Sequence, residues 1–499
     1  MSFLNTIEER PRDAVFLFIL AQVVIWTLVP FAIAISLPLD VVSDGLGWGH
    51  EWQLGYFKHP PLPSWLVEFF FDALGDIGPF LLSQIAVAIT CLFVFALGRE
   101  MMGERKAAIG TILLAGVYYF SVPSAEWNHN VAQMPAWAAM TYLFYKSLKS
   151  GEARWWLLLG FAAGIGLMMK YSTAILMAVM LLYLLSSREG RARFLTAGPY
   201  LALAVCIATI APHLFWLVQN NFPTLHYAAT RAGAESGAVA RIVLPLKFLA
   251  SQAIDLIPAI LLAALAGLFG RGMHRHDDAQ ANDDLRFLLA MGLGPAFLTA
   301  LLSVVAGLGL RAMWGVPMWN LTGLIIVYLA GQRADRASMP RLALGTIALL
   351  IIMPLVFWFT TSYGPAQRGH VARSAWPDKI IAKNFEQSWS ILTRQPLDIV
   401  AGDGWLAGLI AMRAHPRPSV FTDGDMQMAP WITPQRLAKQ GALVVWRIEK
   451  NGGAPPPQLA ALPHFKDMGV MQFSWPRTRK APMLTVGWGI VPPQNPPGL

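Results

Sequence analysis

Residues 14–37, AVFLFILAQVVIWTLVPFAIAISL, form an unbroken run without a charged side chain. A helix needs about 20 apolar residues to cross a bilayer core. The run is longer than a signal-peptide core, and no small-residue cleavage site follows it. It therefore predicts a retained first membrane helix. Comparable runs recur at 78–98, 107–121, 130–148, 155–170, 172–187, 195–218, 245–270, 287–307, 315–331 and 341–360. The expected fold class is mainly α, a polytopic bundle of about 11 membrane helices. The composition agrees: 13% of residues are charged, against about 25% in soluble domains.

The formal net charge is +9, but the cations lie in short loops and form no continuous basic face, which argues against nucleic acid as a partner. Their distribution sets an orientation instead. Loops holding Arg10 and Arg12, Arg99 to Lys106, Lys146 to Arg154, Arg188 to Arg193, Arg271 to Arg286, and Arg333 to Arg341 are basic. The alternate loops carry chiefly Lys58, Arg231, Arg241 and Arg311. With the N-terminus cytoplasmic, those loops and the C-terminal segment face outward, towards the periplasm of a bacterial inner membrane.

Residues 361–499 differ in composition. Short apolar runs LDIVAG, PSVFTD, ALVVWRI and MLTVGWGIV read as strands and WLAGLIAMRA as a helix. This predicts a small outward α/β domain, with 1–360 as the membrane domain and interfacial helices at 40–76. GDGWLAG after LDIVA is too isolated a glycine pattern to indicate a dinucleotide site. Cys91 and Cys206 fall inside apolar runs and read as small buried hydrophobes.

The outward loop after the first run holds Asp40, Asp44, His50, Glu51, Lys58 and His59, with Trp48, Trp52 and Trp65 suited to the membrane interface. Charge beside a membrane is costly unless paired or in a wet cavity, so it marks a functional site. Pro60 and Pro61 cannot continue a preceding helix and would hold Lys58 and His59 in a defined turn at headgroup level. A lysine snorkelling to lipid and a histidine closing a turn is the competing structural reading.

An Asp just past the first helix, then GY and HPPL with a following WL, resembles polyprenyl-phosphate-dependent glycosyltransferases of the GT-C fold. These include bacterial protein mannosyltransferases, lipid A aminoarabinose transferases and rhizobial galacturonosyltransferases. AEWNHNVAQMPAWA (125–138), GLMMKYS (166–172), PHLFWLVQNNFPTLHYAATR (212–231) and LGLRAMWGVPMW (308–319) extend the resemblance over most of the chain. Two features depart from the pattern. Asp40 is followed by Val41, not by a second acid, and the second outer loop reads Glu126-Trp127-Asn128-His129-Asn130. Metal dependence is therefore not carried over, and a divalent metal stays open; one carboxylate and one histidine are few ligands.

The resemblance implies transfer of a sugar from a polyprenyl-phosphate donor to a glycolipid acceptor such as lipid A or lipopolysaccharide core, by a single inverting displacement. An acceptor base is needed, for which Asp40 stands first and Asp44 second, each also able to cap an interfacial helix. Cations must stabilise the leaving phosphate: Lys58, His59, Arg231 and Arg311, the arginines suited equally to lipid headgroups. Glu126, Asn128, His129 and Asn130 are candidates to hold the sugar. Lys170 reads as a helix end at the interface, and His213 with Trp216 as packing on one helix face. A protein O-mannosyltransferase of the same fold is one alternative. A flippase for lipid-linked sugars is another, disfavoured because no inverted repeat or pair of broken helices is evident and charge gathers on one side.

Overall fold

The structure is a computed structural model that describes residues 9–231, 238–270, 279–448 and 453–494. Among the described residues, six helices are long and apolar enough to cross a membrane: Pro11–Ile33, Leu62–Met102, Gly198–Gln219, Arg241–Leu265, Asn282–Ala306 and Met339–Gln367. Two broken pairs, Glu104–Gly116 with Tyr118–Ala125 and Thr173–Ser186 with Arg188–Phe194, bend by 84° and 99° and raise the number to as many as 8 among the described residues. The protein is a multi-pass membrane protein.

The other three predicted runs are helical without meeting that criterion. Thr322–Ala330 is short, and Ala153–Met169 is apolar but only 17 residues. His129–Ser150 has the length but carries buried Asn130, Gln133, Thr141 and Ser147. A helix surrounded by protein can carry polar residues that lipid would not tolerate, so hydropathy understates it.

The chain forms two compact units that alternate along the sequence. One comprises Met1–Val29, Phe80–Ala125 and His129–Leu355; the other comprises Pro30–Pro79, Glu126–Asn128 and Val356–Leu499. In the first unit, Gly160 and Gly164 face Ala202, Cys206 and Thr209, leaving no room for a Cβ. Small residues four apart let membrane helices approach closely. Cys206 and Cys91 are buried and free, as small hydrophobes should be. The bend after Gly116 frees backbone groups that hydrocarbon could not satisfy. Ser124 C=O accepts from Ser83 Oγ (2.6 Å) and Gln84 Nε2 (2.8 Å), and Phe120 C=O from Gln22. Buried polar side chains thus secure the irregular segment.

The second unit is built on a five-stranded sheet: β1 (Ile399–Gly402), β2 (Ser419–Thr422), β3 (Ala442–Arg447), β4 (Lys466–Phe473) and β5 (Leu484–Val491), ordered β2-β1-β3-β5-β4. β1, β2 and β3 are parallel; β5 runs antiparallel to β3 and β4. β1 and β2 are buried at every position, as parallel strands covered on both faces are. The edge strand β4 is mostly exposed and shifts register between Asp467 and Gly469. Its mixed sequence gives no strand period, so it was not expected.

Two arginines after the helix Gly404–Ala411 grip the segment that follows the first span. Arg413 meets Asp76 (2.6 Å) and Asp378 (2.7 Å). Arg417 grips Glu68 with both terminal nitrogens, at 2.6 and 3.1 Å. The Glu68 side chain is 0% exposed and also meets His50 Nδ1 at 3.3 Å. Removing one partner of a buried ion pair costs about 3–5 kcal/mol, because the other charge is left uncompensated. Arg417→Met should lower the thermal midpoint of the purified protein. Adding Glu68→Gln should restore part of the loss. A double variant less stable than the sum of the two singles would contradict a paired Glu68.

Candidate active site

The first span, Pro11–Ile33, is followed a few residues later by a turn that carries Asp40 and Asp44. Asp40 precedes a single π-type turn, Val41–Leu46, whose Val41, Val42 and Leu46 are buried. Gly45 and Gly49 lie too close to Val67 and Ser64 of the helix Leu62–Leu74 to accept a side chain. Ser64 Oγ donates to Asp44 C=O at 2.7 Å. The acidic turn is thereby packed onto the helix that follows the HPPL stretch.

Lys58 Nζ lies 3.1 Å from Asp44 Oδ1, and both side chains are largely shielded. The ammonium also sits 5.5 Å from the Trp48 ring and 5.2 Å from Phe57, a cation–π setting. Trp48 is buried and stacks on Tyr56 at 5.2 Å. It is part of the site's floor, not an interface anchor as expected; Trp52 is exposed and pairs with Trp65 at 6.2 Å. His59 lies 6.5 Å from Trp48, and its C=O accepts the Tyr56 N–H at 3.1 Å. Pro61 supplies the cap of the helix Leu62–Leu74. The prolines thus do two things: they start that helix and fix the turn before it.

Glu126 joins the same unit. Trp127 Nε1 donates to Pro63 C=O at 2.9 Å, anchoring the short Glu126–Asn128 connection, and Asn128 Nδ2 donates to Glu126 C=O at 3.1 Å. The Asp40 N–H donates to Glu126 Oε1 at 3.0 Å. Burial, then the neighbouring Asp40 charge, push the Glu126 carboxyl up to about 7; the Asp40 N–H, Arg373 and Asp44 act more weakly, the first two downward. A carboxyl that titrates near neutrality is matched to proton transfer.

Arg373 was not expected here. It opens the turn Arg373–Ala375, and Ser374 C=O accepts the N–H groups of Ile35 (2.8 Å) and Ser36 (3.0 Å) just ahead of Asp40. Its signal in the sequence is a cation in the segment shortly after the last span. Asp40, Asp44, Lys58, His59, Glu126 and Asn128 thus fall in one unit, with Arg373.

His129, Asn130 and Arg311 belong to the other unit. His129 and Asn130 are buried at the start of the helix His129–Ser150. Lys170 does end its helix, with its ammonium donating to Asn130 Oδ1. Tyr171 OH bonds His213 Nε2 and Thr224 (3.1 Å), while His213 stacks on Trp216 at 6.0 Å. The exposed Arg311 precedes the turn Ala312–Gly315, whose Ala312 C=O is met by Tyr119 OH (3.0 Å) and Gln252 Nε2 (3.2 Å). The helix Pro223–Arg231 ends at Arg231, whose side chain lies outside the described residues. Among the described residues, no three His, Cys, Asp or Glu side chains gather as metal ligands.

A family described as dolichyl-phosphate-mannose-protein mannosyltransferase matches residues 58–216. Lipopolysaccharide core galacturonosyltransferase RgtB of Rhizobium johnstonii is 26% identical over 473 residues, covering 91% of each chain. RgtA of the same organism is 27% identical over 435 residues, covering 84% of this chain and 83% of its own. ArnT from Cupriavidus metallidurans, solved with undecaprenyl phosphate, superposes with a TM-score of 0.63 at 15% identity, covering 95% of this chain and 97% of its own.

The electrostatics make a direct prediction. An infrared pH titration should show a protonated carboxyl band that titrates around pH 7 and is missing from Glu126→Gln. Asp40→Asn removes a negative neighbour, so the transition should move to lower pH. Arg373→Met removes a positive one, so it should move up. An unmoved transition in both variants would show that these charges do not act on Glu126.

Proposed function

We propose, from the premise that this chain is a membrane glycosyltransferase of the GT-C fold, that it moves a sugar from a polyprenyl-phosphate donor to a glycolipid acceptor, lipid A or the lipopolysaccharide core. The named relatives that cover most of the chain are lipopolysaccharide core galacturonosyltransferases, which favours a glycolipid over a protein acceptor. In this reading the site faces the periplasm of an inner membrane, as the loop charges suggest.

The observation that carries the reading is the hydrogen bond from the Asp40 N–H to the Glu126 carboxylate, in the unit that also holds the Asp44–Lys58 pair. The acceptor hydroxyl is activated by the Asp40–Glu126 pair as it attacks the anomeric carbon. Its proton passes to that pair, the bond from the anomeric carbon to the phosphate oxygen breaks, and the polyprenyl phosphate leaves with the electron pair. One displacement inverts the anomeric configuration. Lys58 and His59 meet the departing phosphate, where positive charge matters most. Asp44 holds Lys58 in place, so Asp40 is the better base of the two. Arg231 and Arg311 stay in the proposal as cations of outward loops, and Asn128, His129 and Asn130 as sugar contacts, on the sequence argument.

The test uses the purified chain in nanodiscs with a synthetic polyprenyl-phosphate sugar and deep-rough lipopolysaccharide. Asp40→Asn should lower kcat by about 10²–10⁴-fold, the range for losing a general base, with unchanged thermal stability. Lys58→Met should raise the donor KM and lower kcat, while Asp44→Asn should mimic it more weakly. Near-normal turnover in Asp40→Asn would remove the base role from this pair. Absence of transfer to any glycolipid by the wild type, with transfer to a peptide, would replace the acceptor.

A further inference from the structure

The second unit holds a cleft that the transfer chemistry above does not use. The chain leaves β1, returns on one side as β2, then crosses back to lay β3 on the other side. Open sheets bind ligands at the carboxyl ends of the strands where the order reverses in this way. A cleft of about 190 Å³ opens there, lined among others by Asp403, Asp423, Trp446, Arg447 and Gln458. Asp403 follows β1, Asp423 follows β2, and Trp446 and Arg447 close β3.

The lining is preorganised. Asp403 Oδ1 accepts the N–H groups of Trp405 and Leu406, both at 3.0 Å. The Asp423 N–H donates to Gly402 C=O at 2.7 Å, and its left-handed φ of 51° aims an exposed side chain from a fixed backbone. The exposed Arg447 lies over Trp376, 5.4 Å from the ring. The Trp446 indole is a buried floor whose Nε1 donates to Gly453 C=O at 3.1 Å. Partial shielding inside the cleft, then the charge of Asp403, raise the Asp423 carboxyl, and the charge of Lys58 opposes them.

These groups select a ligand class. Two carboxylates accept hydroxyl protons, a guanidinium and an amide donate to hydroxyl and ring oxygens, and the floor is apolar. A sugar ring presents that pattern: hydroxyls on its rim and C–H groups on its face. A nucleotide or phosphate fits poorly. The N-terminus of the helix Gly404–Ala411 would receive an anion, but the Asp403 side chain already occupies it, and both carboxylates repel one.

We propose that this cleft is a carbohydrate subsite, and that it holds a sugar of the acceptor. The word acceptor rests on the transferase reading above; carbohydrate recognition rests on the cleft alone. Asp423→Asn and Arg447→Gln are suitable probes, since both positions are exposed and Asn tolerates the left-handed backbone. Asp403 is not, because its substitution would uncap a helix.

Two measurements on the full chain separate the readings. The first is saturation-transfer NMR with deacylated lipopolysaccharide core oligosaccharide, which needs no turnover. Wild type should bind, and each variant should weaken binding at least fivefold with an unchanged melting profile. The second is steady-state transfer. The variants should raise the acceptor KM by a similar factor, leaving donor KM and kcat unchanged. Oligosaccharide binding equal in wild type and variants, or absent from the wild type, overturns the subsite. A rise in donor KM alone assigns the cleft to the donor sugar and overturns the acceptor assignment. Binding that responds to the variants in a protein without transferase activity would sustain the carbohydrate site and sink the transferase reading.

Discussion

A carboxylate with no exposed surface is tolerable only with a cation in contact, and Glu68 has one in the Arg417 fork. That pair does more than neutralise charge. Glu68 stands in the middle of the helix Leu62–Leu74, whose first turn follows Lys58 and His59. Arg417 lies just before β2. The turn that presents the site's lysine is therefore indexed to the sheet by two parallel hydrogen bonds, a geometry that constrains direction as well as distance. Arg413, four residues earlier in the chain, adds a second link with Asp76 and Asp378. A single such pair would permit rotation about it; two spaced pairs do not.

The same logic runs inward from that frame. Asp40 and Glu126 arrive from segments 86 residues apart, yet the Asp40 N–H reaches the Glu126 carboxylate because Trp127 is tied to Pro63 and the Ser374 carbonyl to Ile35 and Ser36. Two carboxyls brought together under partial burial cannot both hold full charge cheaply. One is pushed towards neutrality, and a group poised there can take a proton from an approaching hydroxyl and later release it. Arg373 acts the other way, drawing the Glu126 carboxyl down, though less strongly than burial and Asp40 push it up.

Much of this was legible in the chain. Long uncharged runs fix a membrane bundle because hydrocarbon forbids unpaired backbone, and the apolar runs after residue 361 gave four of five strands. The acids and the Lys58–His59 turn were evident because charge is sparse beside a membrane. What was not legible depended on contacts distant in sequence. The helix His129–Ser150 hides among protein, so its hydropathy no longer reports its environment. Trp48 looks like an interface residue by composition, yet Lys58 and Tyr56 enclose it. Arg373 has no local pattern, because its relevance comes from a backbone contact to residues 35 and 36.

The broken span shows how irregular backbone is held inside the first unit. A straight helix continuing from Glu104 would keep its chain in the membrane for further turns. The 84° bend after Gly116 shortens that passage and leaves carbonyls that need donors. Ser83, Gln84 and Gln22 supply them from neighbouring helices, all with buried side chains. Those residues belong to no reaction, but they hold the irregular segment Tyr118–Ala125 within the first unit. Irregular backbone at membrane depth persists only where such partners exist, so this bend depends on polar groups buried among helices.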